Sequence, residues 1–138
     1  MQNGRTVSVK YSNGLFGGKS KVIFFYPKDN TPGCTLEAKA FRDAYAELKK
    51  YGADVIGISS DSSESHKSFC DELDLPYTLL ADEDGSIREQ FGVKKDLLRL
   101  LPGRETYVID PKGTILKVFN NQFSPEKHVE AAIQALTN

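Results

Sequence analysis

Cysteine is scarce in this chain: its 138 residues include two, with two histidines, one methionine and no tryptophan. Two thiols are too few for the disulfide framework of a small secreted domain. A reducing compartment is expected instead, where any disulfide is transient. There is no C-x-x-C pair and no Cys/His cluster, so no metal site or other cofactor is read from the sequence. His66 and His128 are far apart, and each is expected on a solvated helix face. Charge of one sign is missing too. A net charge of −1 gives no electrostatic case for nucleic acid or an anionic membrane as partner. No apolar run nears the roughly 18 residues that a membrane-spanning helix needs. Met1-Gln2-Asn3-Gly4-Arg5 has neither a secretory apolar core nor the Arg/Ser richness of a transit peptide. A targeting segment, if there was one, is expected to lie outside this sequence. What is present is the composition of an ordinary globular protein, 39% hydrophobic and 27% charged, long enough for one domain over residues 1–138.

Arg5, Val7, Val9 and Tyr11 alternate with Thr6, Ser8 and Lys10, which predicts a strand. Asn3-Gly4 ahead of it is a strong hairpin signal, yet only two residues precede that turn. The first strand of a hairpin is therefore expected to be missing. A loop from Ser12 to Lys19 leads to Val22-Ile23-Phe24-Phe25-Tyr26, a short, continuously apolar run that reads as a buried strand. Phe41, Tyr45 and Leu48 then recur at helical spacing, with Gly52 as a stop signal. Asp54–Ser59 reads as another buried strand. Asp61 and Glu64 resemble a capping box opening a helix that runs to Leu73. Tyr77–Ala81 is expected to be a strand and Ser86–Phe91 a short helix. Thr106–Ile109 and Thr114–Phe119 are strands joined by the turn Asp110-Pro111-Lys112-Gly113. Ser124-Pro125-Glu126 opens a final amphipathic helix carrying Val129, Ala132, Ile133 and Leu136. This order implies an α/β fold, a mixed central sheet flanked by helices on both faces.

Cys34 occupies the most informative position. Thr31 is a plausible N-cap, Pro32 suits the first helical position, and Cys34 then falls in the first turn. Free backbone N–H groups and the positive dipole end favour a thiolate there. A lone cysteine is also commonly a small buried hydrophobe, so position alone leaves both readings open. The neighbours favour chemistry. Were the substrate a peroxide, the thiolate would need donors aimed at the oxygens and a wall against water. Thr31 offers a hydroxyl that both accepts and donates, and Pro27 offers a rigid apolar wall. Arg104, at the mouth of the Thr106–Ile109 strand, is the candidate for a fixed positive charge; by itself it would read as a surface arginine. Glu37 lies one turn after Cys34. It is either an ordinary first-turn carboxylate or the partner that orients that guanidinium.

Pro27, Thr31 and Cys34, in the spacing P-x-x-x-T-x-x-C, resemble the active-site signature of peroxiredoxins. Phe25-Tyr26-Pro27-Lys28-Asp29 through Thr31-Pro32-Gly33-Cys34-Thr35 is similar to the peroxiredoxin Q branch, also called bacterioferritin-comigratory-protein-like. Gly103-Arg104-Glu105-Thr106-Tyr107-Val108-Ile109-Asp110 resembles that branch's second motif. Asn120-Asn121-Gln122-Phe123 is similar to its plastid members. The resemblance implies a thioredoxin-like fold and a peroxidase with Cys34 as peroxidatic cysteine. It further implies that Thr31 and Arg104 bind peroxide and that Pro27 shields the site. Substrates would be hydrogen peroxide and organic hydroperoxides, the reductant thioredoxin, the protein a monomer, and its place the plastid stroma or a cytoplasm.

The chain departs from many members of the branch at one position. A resolving cysteine is common five positions after the peroxidatic one, where this chain has Lys39. The other thiol, Cys70, lies on the predicted Asp61–Leu73 helix, where some members resemble it in carrying the resolving cysteine; a buried structural thiol is the other reading. A glutathione-peroxidase-like enzyme is disfavoured, since that family's site relies on a tryptophan. A one-cysteine peroxidase, a peroxide sensor or a holdase would use the same Cys34 chemistry.

Overall fold

Along the apolar run after Lys21, alternate side chains enter two different cores. Val22, Phe24 and Tyr26 join one and Ile23 and Phe25 the other. Burial on both faces is why the run is continuous rather than alternating. The protein is represented by a computed structural model that describes residues 20–91, 95–96, 101–102, 104–120 and 124–137. The run belongs to β1 (Ser20–Phe25), followed by α1 (Pro32–Lys50), β2 (Ala53–Ser59), α2 (Ser63–Leu73), β3 (Thr78–Ala81) and α3 (Ser86–Phe91). Then come β4 (Lys95–Asp96), β5 (Leu101–Pro102), β6 (Glu105–Ile109), β7 (Ile115–Asn120) and α4 (Pro125–Thr137). Five strands form one sheet in the order β3-β2-β1-β6-β7. β1 runs parallel to β2 and β2 to β3, whereas β6 is antiparallel to both β1 and β7. The sheet is mixed, as the element order implied.

One face packs Phe41 and Leu48 of α1, Phe69 of α2 and Val129 and Ala132 of α4 against β1 and β2. Phe24 stacks on Phe41 there, ring centroids 4.6 Å apart. The other face carries Ile56, Ile58 and Tyr107, covered by Ile87 and Phe91 of α3. Helices thus flank both faces.

Most predicted elements differ from the observed ones by a residue or two at their ends. Gly52, at φ 78°, ends α1 as its composition suggested. The short β4–β5 pairing carried no sequence signal. The strand expected over Arg5–Tyr11, the Asn3-Gly4 turn, the Ser12–Lys19 loop, Gly103 and Asn121-Gln122-Phe123 lie outside the described residues. The cap of α2 is a correction: Ser62, not Asp61, is the N-cap, its hydroxyl accepting from Ser65 N at 3.1 Å. Asp61 instead accepts from Asp29 N at 2.7 Å and from Ser59 Oγ at 2.9 Å. A charged oxygen among buried donors gains more there than at a solvated helix end.

The histidines are a second correction. His66 is 4% exposed and His128 fully buried. His66 shares a helical stripe with Phe69 and Leu73, and His128 one with Val129, Ala132, Ile133 and Leu136. Both therefore follow the apolar face of their helix inward.

Candidate active site around Cys34

Pro32 opens α1, and the first intrahelical bond runs from Thr35 N to Thr31 O at 2.8 Å. The N–H groups of Gly33 and Cys34 precede that bond, as the first donors of a helix do. Cys34 is 1% exposed. Arg104, immediately before β6, donates from Nη2 to Cys34 Sγ at 3.4 Å and from Nη1 to Glu37 Oε1 at 2.6 Å. The spacing of three residues along α1 stacks Glu37 one turn below the sulfur, so a single guanidinium spans both. A Cβ on Gly33 would lie 3.1 Å from Arg104 Nη2, so this glycine clears the approach of the guanidinium.

Magnitudes rank the two sources of positive potential at the sulfur. A hydrogen bond to a charged group contributes about 1.5–3 kcal/mol. The end of a helix contributes about 0.3–1 kcal/mol. Arg104 is therefore the larger influence on a thiolate at Cys34. Burial and ion pairing pull the two members of the Arg104–Glu37 pair differently. Glu37 is fully enclosed, and burial pushes its carboxyl up to about 7 although Arg104 draws it down. Burial also works against the charge on Arg104, but the carboxylate and the sulfur together outweigh it and raise its pKa.

Two residues behind this pair escaped the sequence reading. His128 Nδ1 lies 3.5 Å from Glu37 Oε2 and 2.7 Å from Thr106 Oγ1. The helical stripe of α4 was the signal that could have placed His128 here.

Thr31 and Pro27 sit half-buried on the loop that delivers α1. Thr31 holds the N-cap position, but its hydroxyl makes no cap bond and donates to Lys28 O at 3.0 Å. With its proton engaged there, the Thr31 oxygen is left with acceptor capacity. The same loop is pinned from beneath. Asp29 accepts from Tyr26 Oη and Ser65 Oγ, each at 2.7 Å, and meets His66 Nδ1 at 2.7 Å. His66 Nε2 lies 3.0 Å from Leu80 O, which can only accept. Both ring nitrogens thus face acceptors, a geometry that suits the protonated ring. Burial opposes charge on both partners. Their contacts prevail, holding Asp29 below the usual carboxylate range and His66 above the usual imidazole range.

Cys70 is half-buried on α2, and both cysteines are free thiols. Burial pushes the Cys70 thiol up, reinforced by Asp29 and Asp71. An open groove of about 320 Å³ exposes it beside Ser63, His66, Lys67 and Leu79. The fold thus joins Cys34, Arg104 and Glu37 in direct contact, sets Thr31 and Pro27 on the adjoining loop, and leaves Cys70 on a separate helix.

Known proteins share this arrangement of sequence. A profile of the AhpC/TSA family matches residues 1–118. The Peroxiredoxin Q, chloroplastic, of Sedum lineare is 53% identical over 135 residues, covering 98% of this chain and 70% of that protein. The chain belongs to the AhpC/TSA family, on its peroxiredoxin Q branch. Peroxiredoxins are thiol peroxidases. Peroxidoxin BcpB of Mycobacterium tuberculosis superposes with a TM-score of 0.87 at 35% identity, covering 99% of this chain and 97% of that one. Structures of Xanthomonas campestris Peroxiredoxin Q carrying single cysteine-to-serine substitutions give TM-scores of 0.82 at 32% identity over 90% of this chain and 81–82% of theirs. The chain spans about 60–70% of the length of the plant relatives it matches. Among the described residues no helix is long and apolar enough to cross a membrane.

Proposed function

We propose that this peroxiredoxin Q chain reduces hydrogen peroxide and organic hydroperoxides through Cys34. Cys70 resolves the product to an intramolecular disulfide, and thioredoxin returns both thiols. The observation that carries the reading is the 3.4 Å contact of Arg104 Nη2 with a buried helix-start sulfur, the guanidinium itself tethered by Glu37. In the first step Sγ attacks the terminal peroxide oxygen. An S–O bond forms as the O–O bond breaks, and the leaving oxygen takes a proton to become water or an alcohol. Sulfur is oxidised to a sulfenic acid while peroxide is reduced. Arg104 lies where charge accumulates, Thr31 accepts from the peroxide hydroxyl, and Pro27 limits water.

In the second step the Cys70 thiolate displaces the sulfenic hydroxyl, which leaves as water, and the S–S bond forms. A disulfide needs Cα atoms within about 7 Å, and the two thiols sit on separate helices, so one or both helix ends are expected to open locally for it. The half-buried position of Cys70 beside an open groove supports that motion. Cys34 and Cys70 are 36 positions apart. The two cysteines replaced separately in the Xanthomonas protein are also 36 apart. A dithiol reductant then takes over the disulfide. The chain works as a single-domain monomer in the plastid stroma, a reading supported by plant relatives named chloroplastic.

The test is NADPH consumption through a thioredoxin system, together with intact mass after one equivalent of peroxide. Wild type is expected to turn over and to lose two hydrogens. Cys34→Ser is expected to be inactive, and full activity in that variant refutes the reading. Cys70→Ser is expected to oxidise at Cys34 but stall as an oxygen adduct. Undiminished thioredoxin-supported turnover in Cys70→Ser would make the enzyme a one-cysteine peroxidase. Stoichiometric transfer of oxidation to a partner protein, without turnover, would make it a sensor.

A further inference from the structure

Glu37 is the most enclosed carboxylate near the site, and only half of it is satisfied. Among the described residues, Oε1 accepts from Arg104, while no protein group hydrogen-bonds Oε2. An unpartnered carboxylate oxygen in a dry interior carries a large penalty in its ionised form. His128 Nδ1 lies 3.5 Å from Oε2, a distance for an ion pair rather than a hydrogen bond. His128 is fixed by Thr106 Oγ1 at 2.7 Å and by the edge of Phe119, ring centroids 4.8 Å apart. Among the described residues, the other titratable groups around Glu37 are Arg104, Cys34 and Tyr77, and the Tyr77 hydroxyl is committed to Ala38 O.

We propose that His128 is a positioning residue of the Cys34 site: its Nδ1–H faces Glu37 Oε2 and favours the ionised carboxylate, which keeps Arg104 tethered and aimed at the sulfur. The inference rests on the peroxidase reading and adds a residue to it. Thr106 Oγ1 and Glu37 Oε2 both lie near Nδ1, and the Thr106 hydroxyl, which can donate or accept, adapts to a proton placed there to face the carboxylate. With Nδ1 bare, a lone pair would point at Glu37, an arrangement compatible only with the protonated acid. Burial already brings Glu37 close to neutrality, to about 7, so a small change at His128 decides its charge under working conditions. Once protonated, Glu37 loses its attraction for Arg104. The guanidinium then no longer spans the two groups.

The experiment measures the rate of Cys34 oxidation by hydrogen peroxide against pH, with thiolate absorbance titrated in parallel. It uses the full chain as wild type, His128→Phe, His128→Gln and His128→Asn. The amide nitrogen of Asn falls near the Nδ1 position, whereas that of Gln reaches the Nε2 position. His128→Phe and His128→Gln are expected to move the acid limb up by about one pH unit, roughly tenfold in rate on that limb, with recovery at alkaline pH. His128→Asn is expected to restore the wild-type profile. The infrared band of a protonated carboxyl, absent in Glu37→Gln, is expected to persist to higher pH in His128→Phe and His128→Gln only. Superimposable profiles, or a uniform loss at every pH that Asn does not rescue, overturn the proposal. If wild-type Cys34 fails to react with peroxide, the peroxidase reading falls. The infrared titration still decides whether His128 governs the charge of Glu37.

Discussion

Replacing Asp29 by Asn should destabilise the fold by an amount that depends on pH in a specific way. Asp29 Oδ1 accepts from Tyr26, while Oδ2 accepts from Ser65 and faces His66. An amide keeps one oxygen, and the Tyr26 and Ser65 hydroxyls can rotate to accept from its N–H2, but no neutral amide replaces the charge that faces His66. Breaking a buried ion pair by removing one partner costs about 3–5 kcal/mol. For a chain of this size that corresponds to roughly 10–15 °C in Tm. The sign of each titration fixes the window. His66 is raised in the folded state, so its contribution is complete below its unfolded value of about 6.5 and fades as pH rises through the folded one. Asp29 is depressed, so its contribution is complete above about 3.9 and fades as pH falls through its folded value. The difference between wild type and Asp29→Asn should therefore peak between about pH 4 and 6.5 and shrink on either side. Urea unfolding followed by circular dichroism at pH 5 and pH 9 measures it. A difference under about 1 kcal/mol at pH 5, or one that grows toward pH 9, would refute the ion-pair account.

Two glycines give predictions of opposite character. Gly33→Ala adds a Cβ 3.1 Å from Arg104 Nη2 and displaces the guanidinium by a few tenths of an ångström. Thermal melting should hold or improve by up to about 1 kcal/mol through helix propensity, while stopped-flow oxidation of Cys34 slows several-fold. An unchanged oxidation rate would remove Gly33 from the site. Gly57→Ala puts a Cβ 2.6 Å from Leu79 Cδ2 and 2.8 Å from Phe24 Cζ, inside the β1–β2 core. Overpacking of about 1–3 kcal/mol is expected in urea titration, with the chemistry of Cys34 untouched once the protein is folded.

Local pattern was enough for the elements that pattern controls. The apolar run at Val22–Tyr26, the stripe Phe41–Tyr45–Leu48 and the Asp110–Gly113 turn each follow from short-range sterics and periodicity, and the structure has all three within a residue or two. The Cys34 turn was equally local, since Thr31, Pro32 and the helix start are set within four residues. Asp61 was misassigned because capping competes with tertiary partners: its carboxylate goes to Asp29 N, 32 residues away in sequence. The burial of the two histidines was legible in the helical stripes they share with Phe69 and with Ala132.

Taken alone, the order of residues determined which segments are strands and helices, which thiol heads a helix, and which arginine could answer it. Sequence separation hid the rest. Arg104 lies 70 residues from Cys34 and 67 from Glu37, and His128 reaches Glu37 from the last helix. Only pairing β6 against β1, and docking α4 over α1, brings these charges together and excludes water from them. The low dielectric of that enclosure gives Glu37 and Arg104 an interaction strength that neither residue has in an extended chain.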